Sequence, residues 1–144
     1  MKRTAMLALG VVAVALLLAG GTVLAKQIIC TSGHCVGTKR ADTMQGASGN
    51  DELVGHRGND EIFGDREGAP AGNDLLRGGP GNDLISDGSR IVDTDTVFGG
   101  KGDDRIDVKE EDTSVDVVDC GPGTDTVFAD PSDQLTNCEI VNPA

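Results

Sequence analysis

Asp42, Asp51 and Asp60 stand nine residues apart, and Asp74, Asp83, Asp95, Asp104, Asp116 and Asp125 continue the series at intervals of nine to fourteen. Most of these acids close a glycine-rich stretch. Gly55 and Gly58 precede Asp60, Gly78 and Gly81 precede Asp83, Gly99 and Gly102 precede Asp104, and Gly123 precedes Asp125. Glycine lets a backbone curl tightly through positive φ. Such a curl aims carbonyl oxygens inward, and the aspartate that ends it adds a carboxylate. An all-oxygen set of this kind suits a hard cation such as Ca²⁺, which takes six or so oxygens at about 2.3–2.6 Å. It disfavours zinc and copper, which prefer nitrogen and sulfur.

The elements that hold these turns follow from the same beat. With the aspartate as the sixth position of a nine-residue unit, the eighth position reads Met44, Leu53, Ile62, Leu76, Ile85, Val97, Ile106, Val118, Val127 and Leu135. Every one is apolar, and its neighbours are mixed, as alternation along a short strand requires. A unit this small buries nothing alone, so the units must stack into a solenoid. A strand, a sharp turn and a return strand give two parallel sheets facing across a thin core. The fold class is therefore all-β.

Half a coil per unit sorts the turns onto two edges. One edge takes the units of Asp42, Asp60, Asp83, Asp104 and Asp125, all nine residues long; the other takes Asp51, Asp74, Asp95, Asp116 and Asp133, with every insertion. Turns one coil apart lie about 4.8 Å from each other and can share an ion. The gaps between the Asp60, Asp83, Asp104 and Asp125 units are the best formed, since Thr38 and Arg40 replace glycines beside Asp42. Gly46, Gly49 and Asp51, and likewise Gly72 and Asp74, form competent turns on the inserted edge. The units of Asp95 and Asp116 lack the fourth-position glycine, and Asp93, Glu110, Glu111 and Asp112 are substitute ligands there. The expected load is about four to six ions.

The chain resembles the RTX, or haemolysin-type, calcium-binding repeat, G-G-x-G-x-D-x-U-x with U apolar. Residues 78–83 and 99–104 match all four defined turn positions, and 46–51, 55–60 and 120–125 miss one glycine. The resemblance covers roughly 37–137. It implies a right-handed parallel β-roll with Ca²⁺ in the turns, in a family that is secreted and often folds only outside the cell. The stretched units at 64–77, 87–98 and 108–119 depart from the pattern.

Residues 1–25 read as a signal peptide: Lys2 and Arg3, an apolar run from Ala5 to Gly20, then a small-residue cleavage site ending at Ala25. Removing them, with their two basic residues, from a 144-residue chain of net charge −12 leaves 119 residues at −14. That charge excludes nucleic acid as a partner. The remaining layout is a cap over 26–36, repeats over 37–137 and a second cap over 138–144. Cysteines of an exported chain pair as disulfides, here Cys30 with Cys35 and Cys120 with Cys138, each tying down one end. Zinc at Cys30, His34 and Cys35 lacks ligands unless His56 joins.

No nucleophile–base set, His-Glu-x-x-His or Gly-x-Ser-x-Gly is present, so the expected protein is not an enzyme. Ten small inward side chains offset poorly the ordering of so many glycines, at about 1–2 kcal/mol per residue. The expectation is thus a secreted, extracellular, monomeric calcium-binding β-roll that folds when Ca²⁺ binds. The alternative is an adhesion or surface-attachment module with an extracellular or cell-surface partner, using the outward Phe63, Phe98 and Phe128 while Ca²⁺ serves as scaffold.

Overall fold

A computed structural model describes residues 25–143 apart from 32, 67, 69, 89–92 and 110–113. The expected signal peptide, residues 1–25, lies outside the described residues but for Ala25, as do the substitute ligands Glu110, Glu111 and Asp112. Among the described residues no helix is long and apolar enough to cross a membrane.

Every described element is a short strand: β1 (Lys26–Ile29), β2 (His34–Val36), β3 (Asp42–Gln45), β4 (Glu52–Val54), β5 (Glu61–Phe63), β6 (Leu75–Pro80), β7 (Leu84–Ser86), β8 (Thr96–Lys101), β9 (Arg105–Asp107), β10 (Val117–Asp119), β11 (Thr126–Ala129), β12 (Gln134–Thr136) and β13 (Ile140–Pro143). The odd strands form a seven-stranded sheet in the order β1-β3-β5-β7-β9-β11-β13, and the even strands a six-stranded sheet. All pairs are parallel, and consecutive strands always belong to opposite sheets. This is a parallel β-roll, wound as the nine-residue beat requires.

The eighth-position residues are in register through the stack. Met44 pairs with Ile62, Ile62 with Ile85, Ile85 with Ile106 and Ile106 with Val127; Leu53, Leu76, Val97, Val118 and Leu135 do the same opposite. All are fully buried except Leu135, which packs against the core from the last coil. Cys30, Val108, Cys120 and Ala129 also enter the core. The last three occupy the first position of their units, which strand alternation turns to the same side as the sixth and eighth. One face of each half-coil thus presents a carboxylate, an apolar side chain and a small residue in succession.

Hydrogen bonding does not stop where strands end. Gly58 N–H donates to Pro80 O at 3.0 Å, Gly81 to Lys101 at 2.8 Å and Gly102 to Pro122 at 3.1 Å, so the turns are laddered as well. Two rungs lie before the first repeat: β1 pairs with β3 and β2 with β4. At the other end β13 pairs with β11. Both expected disulfides are present, Cys30–Cys35 beside β1 and β2 and Cys120–Cys138 joining consecutive coils with Cα atoms 5.2 Å apart. No thiol of either pair is left for zinc. Outside, Arg77 covers Phe98 at 4.5 Å and Arg105 covers Phe128 at 4.2 Å.

Candidate metal centre

On the regular edge each sixth-position carboxylate is bound to the coil before it. Asp60 Oδ1 accepts the backbone N–H of Asp42, Asp83 Oδ1 that of Asp60, Asp104 Oδ1 that of Asp83, and Asp125 Oδ1 that of Asp104, at 2.7–2.8 Å. Glu139 Oε2 ends the column by accepting from Asp125 at 2.9 Å. The inserted edge repeats the pattern through Asp51, Asp74, Asp95, Asp116 and Asp133, at 2.6–3.0 Å. Both columns therefore contain the aspartates that the nine-residue beat assigned to them.

The second oxygen has a different environment. Oδ2 of Asp60, Asp74, Asp83, Asp104 and Asp125 is buried with no hydrogen-bond partner, as is Oδ1 of Asp42. At 0–3% exposure these side chains have no route to bulk water. Burying a carboxylate oxygen without a donor costs free energy unless a charge or proton compensates.

What surrounds that oxygen is more acceptor. A Cβ built on Gly78 would fall on Asp83 Oδ2 and within 2.6 Å of the Gly99 carbonyl oxygen, which comes from the next coil. On Gly99 it would meet Asp104 Oδ2 at 2.7 Å and the Cys120 carbonyl; on Gly55, Asp60 Oδ2 and the Gly78 carbonyl at 2.8 Å. On the inserted edge, Gly64 brings together Asp74 Oδ2 at 2.5 Å and the Asp87 carbonyl at 2.6 Å. Four first-position glycines thus leave a cradle in which a carboxylate oxygen and a carbonyl oxygen converge. Gly37 and Gly46 make two more with Asp42 and Asp51, but there Oδ2 already accepts the N–H of Thr38 or Ala47.

The other glycines serve the stacking. Cβ atoms on Gly81, Gly102 and Gly123 would strike the carbonyl oxygens of Gly58, Gly81 and Gly102 one coil earlier. At the second position Gly79, Gly100 and Gly121 hold φ of 115°, 118° and 97°. His56 occupies the same place in its unit at φ 82°, a region that L side chains rarely adopt.

Burial pushes the pKa of these acids up. Asp83 and Asp74 rise to about 7, Asp104 to about 6 and Asp95 to about 8, in each case with desolvation as the largest cause. The N–H bond from the preceding aspartate pulls the other way, and carboxylates one coil away add to the rise. Asp60 and Asp125 are raised for the same leading reason. A neighbouring divalent cation would reverse all of these shifts.

Among the described residues no three acidic or imidazole side chains are already gathered as a ligand set. The cradles therefore rely on carbonyls as well as carboxylates, the donor mixture that suits Ca²⁺. Not every turn offers one. Val108 and Ala129 place side chains at first positions of the Asp116 and Asp133 units, and both are core residues. Asp133 has both oxygens occupied, by the N–H groups of Asp116 and Asp130. Composition alone conceals this, because a first-position glycine and a first-position valine both suit a strand end.

Fold and site define a class: a parallel β-roll whose turns are lined with buried, donor-poor oxygens. The family model of the RTX calcium-binding nonapeptide repeat matches the chain in four copies, over residues 36–67, 71–89 and 93–108. Over these residues the chain carries RTX-type calcium-binding nonapeptide repeats. Neither a curated protein nor a solved structure matches it.

Proposed function

We propose that this chain is a secreted, non-catalytic protein whose β-roll folds when Ca²⁺ binds in its turns. The observation that carries the reading is the row of buried, unpartnered Oδ2 atoms on Asp60, Asp74, Asp83 and Asp104, each facing a carbonyl oxygen of the next coil. Bound Ca²⁺ would neutralise these carboxylates and give both oxygens a partner. The chain supplies the rest. Glycine leaves the cradle open, the N–H of the preceding aspartate fixes each carboxylate through Oδ1, and the eighth-position residues hold the coils in register.

Four cradles have an orphaned carboxylate oxygen and two more have one already bonded, which supports about four to six ions. Because an unfolded chain lacks the cradles, binding is coupled to folding through mass action. Without Ca²⁺ at neutral pH, stacked carboxylates repel one another across an otherwise thin core, and the chain is largely disordered. The disulfides and the N-terminal basic and apolar run support export. Attachment through outward phenylalanines draws less support, because arginines cover Phe98 and Phe128.

Far-ultraviolet circular dichroism tests this reading. Chelator should give a coil-like spectrum and millimolar Ca²⁺ a strand-rich one. Identical strand-rich spectra in both would overturn it.

A further inference from the structure

The stretched units on the irregular edge carry acids in addition to their sixth-position aspartates. Asp65 stands at the second position of unit 64–77 and Asp93 at the fourth position of unit 87–98, both places where the regular turns use glycine. They are 5% and 8% exposed. Neither oxygen of Asp65 and neither oxygen of Asp93 has a hydrogen-bond partner. These are the two described aspartates with both oxygens buried and unpartnered.

The backbone brings the pair to one place. Thr94 N–H donates to Asn73 Oδ1 at 3.1 Å and Asp74 N–H to Asp95 Oδ1 at 2.6 Å, so residues 93–95 stack on residues 72–74. Asp93 therefore lies one coil from Gly72. Asp65 approaches Gly72 from the same unit; the Gly72 N–H lies close enough to stabilise its charge, but not in hydrogen-bonding geometry. Burial first, and then the charge of Asp93, push the Asp65 carboxyl up to about 6. Asp65 N–H is bonded to Asp87 O at 2.7 Å, which fixes it between the two inserted turns. The unpartnered Oδ2 of Asp74 lies beside Gly64, next along the chain from Asp65.

We infer that Asp65 and Asp93, with the outer oxygen of Asp74, form an additional divalent-cation site between the two inserted turns, outside the repeat consensus. This deepens the calcium reading and rests on it. Two enclosed carboxylates that accept no hydrogen bond need a compensating charge, and an all-oxygen set selects a hard cation. The three side chains are not gathered at a single point beforehand, so side-chain rotation on binding completes the set. The stretched units thereby add a carboxylate-lined site beside the Gly64 cradle, which shares the Asp74 Oδ2 with it.

Ca²⁺ stoichiometry by equilibrium dialysis on the full chain tests the site, comparing the wild type with the D65N/D93N double variant and with D83N. The double variant should bind one ion fewer than the wild type and keep the strand-rich spectrum in Ca²⁺. Combining it with D83N should remove a second. An unchanged ion count in the double variant, with D83N still losing one, overturns the inserted-turn site and leaves the repeat sites standing. A wild-type chain that binds no Ca²⁺ overturns both. If the double variant does not fold, anomalous diffraction from wild-type crystals grown in Ca²⁺ decides. A peak between Asp65 and Asp93 supports the site, and peaks confined to the regular cradles overturn it.

Discussion

Asp83 accepts the backbone N–H of Asp60 through Oδ1 at 2.8 Å and buries Oδ2 with no donor at all. One carboxylate thus plays two parts, a structural one toward the previous coil and an open one toward the next. The division recurs at Asp60, Asp74 and Asp104. It makes these residues sensitive to charge rather than to shape, and the two can be separated by mutation.

Asp83→Asn keeps the acceptor at Oδ1 and places an amide nitrogen where Oδ2 faces the Gly99 carbonyl. Calcium titration should show one ion fewer and a higher midpoint for folding. In chelator, strand content at pH 7 should be equal to or greater than that of the wild type, because a buried charge has been removed; such a charge costs about 1–3 kcal/mol or more when unpaired. A loss of strand content in both conditions would point to a packing role instead.

His56→Gly should stabilise the calcium-loaded roll. The position holds φ 82°, and its counterparts Gly79, Gly100 and Gly121 are all glycine. Relief of a left-handed conformation is worth about 1–2 kcal/mol, offset by about 0.4–1 kcal/mol of added freedom in the unfolded chain. A net gain of roughly 0.5–1 kcal/mol follows from these two. Urea unfolding in Ca²⁺ should show a raised midpoint and an unchanged slope. A lowered midpoint would mean that the imidazole makes a contact worth more than the strain.

Acid should partly replace calcium. The carboxyls of Asp104, Asp83, Asp74 and Asp95 rise from the usual 3.8 to between about 6 and about 8 in the roll. The folded chain then holds more protons than the unfolded one across that window. Their contribution to stability is complete below about pH 4 and is lost as pH climbs through about 6 to 8. Strand content in chelator should accordingly rise on going from pH 8 to pH 4.5. Calcium affinity should move the opposite way, strengthening with pH as fewer protons need displacing. Strand content in chelator that falls on acidification would contradict the assignment.

Reduction of Cys120–Cys138 should loosen the last rung selectively. The bond closes a segment of 18 residues, and a loop of that size accounts for about 3 kcal/mol. Hydrogen exchange in Ca²⁺ with reductant should accelerate at Ile140–Asn142, which pair with Thr126–Phe128. Exchange in β7 and β9 should be unaffected, since their own neighbours remain.

Much of this arrangement can be read from spacing alone. A single apolar residue every nine fixes which side chains face inward, and Met44 through Val127 lie where that rule places them because one strand residue in two must. The two aspartate columns follow from counting half-coils. Asp65 escapes the rule because it stands at a second position, where the regular units carry glycine, and only the stack shows that it is buried. Val108 and Ala129 look like ordinary strand ends in one dimension; only stacking shows that they enter the core. The strained φ of His56 is likewise visible only beside the glycines of neighbouring coils.

Calcium in the cradles can be seen outright by anomalous scattering from crystals grown in saturating Ca²⁺. Peaks should stand beside Oδ2 of Asp60, Asp74, Asp83 and Asp104, between each carboxylate and the carbonyl of the following coil. A fully ordered roll in such crystals with no density at those four places would refute calcium binding in the turns.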